Sequence, residues 1–198
     1  LEALGVDVVP INITPDGLFP RAAEPLPENL GALCEAVAAN HCDVGFAQDM
    51  DADRLAVVSE RGEPIGEDYT LVLATWYVLA KMEMGSDPIS GISGPGPVVV
   101  ANLATTMALD DLAARFGSRV VRSKIGEANV TDRMKLEKAV IGGEGNGGVI
   151  YPRINFARDS QVGMALILHL LAASGRSVSR LMADLPRYSM VKKRLACP

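Results

Sequence analysis

Asp49, Asp51 and Asp53 stand at alternate positions in the run Asp49-Met50-Asp51-Ala52-Asp53-Arg54. Three carboxylates so close repel one another unless a positive charge neutralises them, and a hard divalent cation with oxygen ligands does so naturally. With Mg²⁺, three protein oxygens leave coordination positions for water or a substrate phosphate. Arg54 beside them could pair with the acids, or reach a phosphoryl oxygen as a two-pronged donor. The apolar runs GFA before and LAVV after make this the loop between two strands. It then lies at a strand's carboxyl end, where open α/β sheets place ligands. The bland alternative is an acidic turn of solvated charges. An EF-hand would use Asp49, Asp51, Asp53 and Glu60, but Arg54 occupies its glycine position and a strand follows in place of a helix. A phosphatase aspartate loop does not suit the third acid and the arginine.

Gly142-Gly143-Glu144-Gly145-Asn146-Gly147-Gly148 sets one acid and one amide among glycines. It lacks the Lys-Ser/Thr ending of a P-loop, and no helix pattern starts there as a dinucleotide fingerprint requires. Glycines let backbone approach a ligand closely, and a carboxylate with an amide can hold vicinal hydroxyls, which suits a sugar. A floppy turn with an incidental acid reads equally well. In Lys124-Ile125-Gly126-Glu127-Ala128-Asn129, again after a strand, Lys124 could meet a phosphate and Glu127 a hydroxyl, or Glu127 simply favours a helix N-terminus. His41 and His169 have no partner pattern and read as structural, and the Met and aromatic residues as core.

The elements that must position these groups follow from periodicity and punctuation. LEALG reads as the last turn of a helix closed by Gly5, and Val6–Ile13 as a strand. Thr14–Pro27, with four prolines, is a loop. A helix runs from Pro27 to about Asn40, with Leu30, Leu33, Cys34 and Val37 on one face. Strands follow at Asp43–Ala47 and Leu55–Ser59, then a turn at Arg61-Gly62 that returns the chain toward Ile65. Glu67–Met84 is a helix apolar on most sides, as suits burial between layers. Beyond a Gly/Pro/Ser-rich loop at Ser86–Pro97, the pattern predicts a strand at Val98–Ala101, a helix at Thr106–Phe116 and a strand at Arg119–Arg122. A helix at Ala128–Lys138, a strand at Ala139–Gly142, a helix capped by Asp159 to about Ala173 and a short helix at Ser177–Leu185 complete it. The alternation predicts an α/β fold: two three-layer α/β/α modules with mixed, mostly parallel sheets. The expected boundaries are 1–64, carrying the acidic loop, and 65–188, carrying the glycine loop, with 189–198 as the start of a linker.

The composition sets bounds. With 198 residues the chain can bury one large core or two small ones. A net charge of -5 argues against a nucleic-acid binder. No apolar run reaches the ~18 residues of a membrane span, and no signal peptide is evident. The three cysteines Cys34, Cys42 and Cys197 have no metal or CxxC spacing and suit a reducing cytoplasm. Opening at a helix end without Met, the chain reads as a piece of something longer.

Taken together, the loops resemble the α-D-phosphohexomutase family, which includes phosphoglucomutase, phosphomannomutase and phosphoglucosamine mutase. DMDADR is similar to that family's metal loop, GGEGNGG to its sugar-recognition loop, KIGEANV to a further substrate loop and PDGLFP to part of its second domain. The resemblance implies that Asp49, Asp51 and Asp53 bind Mg²⁺, completed by the phosphate of a phosphoserine in the first domain. It also implies that Arg54 stabilises the transferring phosphoryl group. Glu144 and Asn146 would orient the sugar, with Gly126, Glu127 and Lys124 lining the same cleft. The implied reaction moves phosphate between the 1 and 6 positions of a hexose phosphate through a hexose bisphosphate.

No Ser-His-Asn-Pro-type serine loop and no Arg-Ser-Gly-Thr-type phosphate loop occur, so the resemblance covers the second and third domains, and the chain alone is expected to be inactive. Met50 replaces the usual glycine of the metal loop; Asn146 and Gly148 stand where many members have serine and histidine, and Glu127 where some have histidine. A second reading is a non-catalytic divalent-metal or sugar-phosphate binding module, supported by the lack of a nucleophile or convincing general base within these residues.

Overall fold

The computed structural model describes residues 1–84 and 96–188. Most of the loop expected at Ser86–Pro97 and the linker expected at 189–198 lie outside the described residues. The observed order is α1 (Gly31–Ala39), β1 (Val44–Gln48), β2 (Leu55–Ser59), α2 (Asp68–Glu83), β3 (Val98–Asn102), α3 (Ala108–Arg115), β4 (Arg119–Ser123), α4 (Glu127–Glu137), β5 (Ile141–Glu144), β6 (Gly148–Ile150), α5 (Ser160–Ser174) and α6 (Val178–Ala183). Short 3-10 turns at Glu2–Leu4 and Pro27–Asn29 precede them. The first ends on Gly5 in the left-handed region at φ 78, the closure read from the sequence.

Two sheets result, the first antiparallel and the second mixed. β1 and β2 pair antiparallel, Val44 opposite Ser59 and Gln48 opposite Leu55, which brings the two ends of the acidic loop together. The second sheet has the order β4-β3-β5-β6, parallel at β4-β3 and β3-β5 and antiparallel at β5-β6. Its central strand β3 is buried along its whole length because helices cover both faces. Val99, Ala101 and Ile141 face the core of α2, α3, α5 and α6. Val98 and Val100 face Val130 and Met134 of α4. This is the α/β/α layering expected of the second module.

The smaller sheet is covered in the same way, but one of its layers comes from further along the chain. Ala56 and Val58 of β2 pack with Leu30 and Val37 on the α1 side. Leu55 and Val57, on the opposite face, join the core built around α2 and α5. All five residues of β2 are therefore buried. Leu71, Val72, Leu73 and Ala74 are four consecutive covered residues of α2, which accounts for its apolar surface all round.

Three expectations are corrected. Val6–Ile13 is extended but forms no ladder among the described residues, and Val8, Val9, Ile11 and Ile13 are exposed. A β-branched run favours extended backbone, but a strand also needs an edge to pair with. The helix from Pro27 is broken at Leu30 (φ -104, ψ 9) into a 3-10 turn and α1. Finally, the strand expected at Ala139–Gly142 lies at Ile141–Glu144, and Gly148–Ile150 is a strand the sequence reading lacked. Gly142 sits inside β5 because a Cβ there would stand 2.6 Å from both Val100 O and Met134 Sδ. A glycine needed for close packing looks, in sequence, like a turn residue.

Candidate functional site

Asp49 follows β1 directly and is buried, 7% exposed. Its Oδ1 accepts from the backbone N–H groups of Asp53 (3.1 Å) and Arg54 (3.0 Å), so the first acid of the loop folds the loop around itself. Ala52, at φ 59, takes the left-handed conformation that this tight reversal demands. Ser160, the first residue of α5, donates its hydroxyl to Ala52 O at 2.6 Å and accepts from Gln48 Nε2 at 2.6 Å, pinning the loop from beneath. Asp159 caps α5 by accepting from Val162 N at 3.0 Å, which fixes where Ser160 sits.

The three aspartates offer ligand oxygens that all lie within 4.8 Å of one another, with Asp51 exposed and Asp53 between the two extremes. Burial and the charges of Asp49 and Asp51 push the Asp53 carboxyl up to about 6, against the opposing pull of Arg158. Asp53 Oδ1 is buried and has no hydrogen-bond partner. An orphaned, charge-crowded carboxylate oxygen facing two more carboxylates is the donor set of a hard divalent cation, so these residues fit one.

Arg54 is drawn back over the loop: its Nε lies 3.1 Å from Asp49 Oδ2 and 3.7 Å from Asp53 Oδ1, and its Nη1 3.7 Å from Glu24. Arg21, from the loop before α1, donates to the carbonyl of Gln48 beside Asp49.

The glycine loop is the turn of the β5–β6 hairpin and it is bonded to the acidic loop. Leu55 N donates to Gly147 O at 3.1 Å, and Arg54 forms an antiparallel bridge with Gly148. Glu144, at the end of β5, is 3% exposed. Its Oε1 accepts from Asn102 Nδ2 (2.8 Å) and Gly126 N (2.9 Å), and its Oε2 from Arg158 Nη1 (2.9 Å). Glu127, which opens α4, accepts from Arg158 N at 2.8 Å.

The structure therefore gathers Asp49, Asp51, Asp53 and Arg54 into one loop and places Glu144, Gly126 and Glu127 around a second centre beside it. Asn146 turns its Oδ1 back onto Gly148 N at 3.2 Å, stiffening the hairpin. Lys124 is exposed on the rim.

Two residues of this centre carry no motif. Asn102, buried at the end of β3, holds Glu144 while its own Oδ1 accepts from Ala104 N (3.0 Å) and Thr105 Oγ1 (2.8 Å). Arg158 pairs with Asp53, Glu127 and Glu144 together. Charge arithmetic was the available signal for it: five acids gathered with Arg21, Arg54 and Lys124 leave a deficit of positive charge.

Known proteins match this arrangement along the chain. The model for "Phosphoglucomutase/phosphomannomutase, alpha/beta/alpha domain II" matches residues 1–62, and that for "alpha/beta/alpha domain III" of the same family matches 67–188. The chain is 37% identical, over its whole length, to a Methanopyrus kandleri protein named "Probable phosphoglucosamine mutase", and covers 41% of it. It is 38% identical over 98% of its length to the phosphoglucomutase/phosphomannomutase of Thermococcus kodakarensis, of which it covers 40%. A crystal structure of a phosphoglucomutase/phosphomannomutase family protein from Burkholderia thailandensis superposes with a TM-score of 0.76 at 26% identity, over 94% of this chain and 38% of that one. The chain thus spans about two fifths of the length of these curated relatives. It belongs to the phosphoglucomutase/phosphomannomutase family, of which it carries sequence matching the second and third α/β/α domains.

Proposed function

We propose that this chain is the metal- and sugar-binding portion of a Mg²⁺-dependent phosphohexomutase, which interconverts hexose 1- and 6-phosphates through a phosphoserine and a hexose bisphosphate. The observation that carries the reading is the backbone join between the two loops. Through Leu55 N and Gly147 O, the carboxylate triad that fits a hard cation is held against the loop that presents Glu144. A site for phosphoryl transfer to a sugar needs both within reach of one ligand.

Asp49, Asp51 and Asp53 would hold the cation, with Asp53 Oδ1, which has no hydrogen bond, available to it. A bound divalent cation supplies concentrated positive charge next to a transferring phosphoryl group. Arg54, tethered at Nε by Asp49, is the family-matched candidate to stabilise the same group as a donor. Glu144, with its carboxylate fixed by three donors, and Asn146 would orient the sugar through its hydroxyls, with Gly126, Glu127 and Lys124 along the same edge. The phosphoserine and the site for the sugar's second phosphate would lie in domains outside these residues, so the chain alone binds but does not turn over. A cytoplasmic location belongs to the same reading, and no helix among the described residues is long and apolar enough to cross a membrane.

The test joins the chain to the remaining segments of its polypeptide, phosphorylates the serine, adds Mg²⁺ and assays glucose, mannose and glucosamine 1-phosphates for conversion to the 6-phosphates. Conversion of any one supports the proposal. Absence of turnover with all three, together with binding of Ca²⁺ in strong preference to Mg²⁺, would instead identify a non-catalytic binding module.

A further inference from the structure

Arg158 pairs with a carboxylate of each loop. Its Nη2 pairs with Asp53 Oδ2, its Nη1 lies 2.9 Å from Glu144 Oε2 and its Nε 3.5 Å from Glu127 Oε2, while its side chain is 16% exposed. The stem reaches these acids by crossing Gly148, where a Cβ would stand 2.4 Å from Arg158 Cδ and 3.0 Å from its Cγ. Gly148 is thus the space through which the arginine passes. At the other end, the backbone N–H of Arg158 is fixed by Glu127, and the next residue is the cap of α5. The backbone and stem of Arg158 are therefore placed by their surroundings, and they set its guanidinium among the three acids.

The fork divides the two oxygens of Asp53. Oδ2 is taken by Arg158, while Oδ1 is buried without a hydrogen bond, with only the Arg54 Nε ion pair at 3.7 Å, in a carboxyl grouped with those of Asp49 and Asp51. A planar guanidinium can hold two carboxylates at fixed angles, which the point charge of a lysine cannot do. Glu144 draws on the same cation, so the two acids share it: weakening one pairing strengthens the other.

We propose that Arg158 is a positioning residue that couples the cation site to the sugar loop. It orients Asp53 so that Oδ1 stays available to a cation, and it transmits changes at Glu144 to that site. The inference rests on the proposed function, because it takes the triad to be a cation site and Glu144 to be a sugar contact.

The test is a calorimetric titration of the chain with Mn²⁺, comparing the parent, Glu144→Gln, Arg158→Met and the double variant. With Glu144 neutralised, Arg158 turns its full charge on Asp53 and competes with the cation, so E144Q should weaken Mn²⁺ binding about fivefold. In the Arg158→Met background the same change should alter affinity by less than about twofold. Gly148→Ala, which displaces the arginine without removing its charge, supplies the same cycle should Arg158→Met fail to fold. There too, E144Q should lose its effect. An equal effect of E144Q in every background overturns the coupling and leaves the proposed function standing. A parent chain that takes up no Mn²⁺ overturns the cation site itself, and the coupling with it.

Discussion

Leu55 donates its backbone N–H to the carbonyl of Gly147 at 3.1 Å, joining the first residue of β2 to the tip of the glycine hairpin. The acidic loop ends at Leu55 and the glycine loop turns at Gly147, so this bond, with the Arg54–Gly148 bridge, helps to set the distance between two centres far apart in sequence. Gly147 is at φ 92, and a Cβ there would stand 2.5 Å from Leu55 O.

Gly147→Ala should therefore destabilise the chain by about 2 kcal/mol, since the side chain meets both an unfavourable φ and a backbone oxygen. A urea titration of the parent and the variant measures it. An unchanged midpoint would show that the two loops are not held together here.

What the sequence revealed and what it hid divide along a physical line. Asp49, Asp51 and Asp53 were legible because their chemistry is contiguous: three acids crowd one another whatever the rest of the chain does. The α2 helix was legible because its first turns, residues 69–75, are buried on all sides and so must be largely apolar on all sides. Arg158 and Asn102 were not, because each acquires its role only when folding brings Glu144 to it across the hairpin or the sheet. The misplaced start of β5 has a related cause: Gly142 serves a close approach to Val100 and Met134 that only the packed sheet creates. The unpaired Val6–Ile13 run marks the converse limit, where local propensity is clear and the pairing edge is missing among the described residues.

The repulsion within the triad makes a prediction in which function and stability move apart. Asp51 is exposed, and its charge sits beside those of Asp49 and Asp53. Without metal, Asp51→Asn should leave stability unchanged within about 0.5 kcal/mol, or raise it. Its Mn²⁺ affinity should fall at least about tenfold, because an anionic ligand is lost. Thermal melts with and without Mn²⁺ test both halves: saturation at about a hundred times Kd should stabilise the parent by about 2.7 kcal/mol. A marked loss of metal-free stability in the variant would mean that Asp51 is held by structure and not poised for a ligand.

Glu60 provides a pH dependence away from the site. Burial raises its carboxyl, but the hydroxyl and N–H of Ser179 overcome that and hold it below its ordinary value of 4.5. The N–H bond is 3.1 Å and ties the residue that follows β2 to the start of α6. A depressed native pKa means that the unfolded chain binds the proton more readily, so the contribution is present above about pH 4.5 and is lost as pH falls through the lowered native value. Glu60→Gln should cost about 1.5 kcal/mol at pH 7 and progressively less below pH 4. Chemical denaturation at the two pH values tests the sign; a cost that grows on acidification contradicts it.

Asn102 supplies the sharpest discrimination between a shaped site and a chance cluster of acids. Its amide nitrogen donates to Glu144 Oε1 at 2.8 Å from a position only 3% exposed, while its own oxygen accepts from Ala104 N and Thr105 Oγ1. Asn102→Ala leaves Gly126 N as the described hydrogen-bond donor to Glu144 Oε1, and should cost about 2 kcal/mol by stranding buried polar groups. Asn102→Asp is nearly identical in shape, yet it replaces the donor with a carboxylate oxygen facing Glu144. It should cost more than the alanine at pH 7 and recover part of the loss on acidification, when one of the two acids takes up a proton and can donate to the other. Urea unfolding of both variants at pH 7 and pH 5 decides the matter. Equal costs for the two at pH 7 would mean that Glu144 is not held as a charged, donor-saturated group, and would remove the basis for reading it as a preset sugar contact.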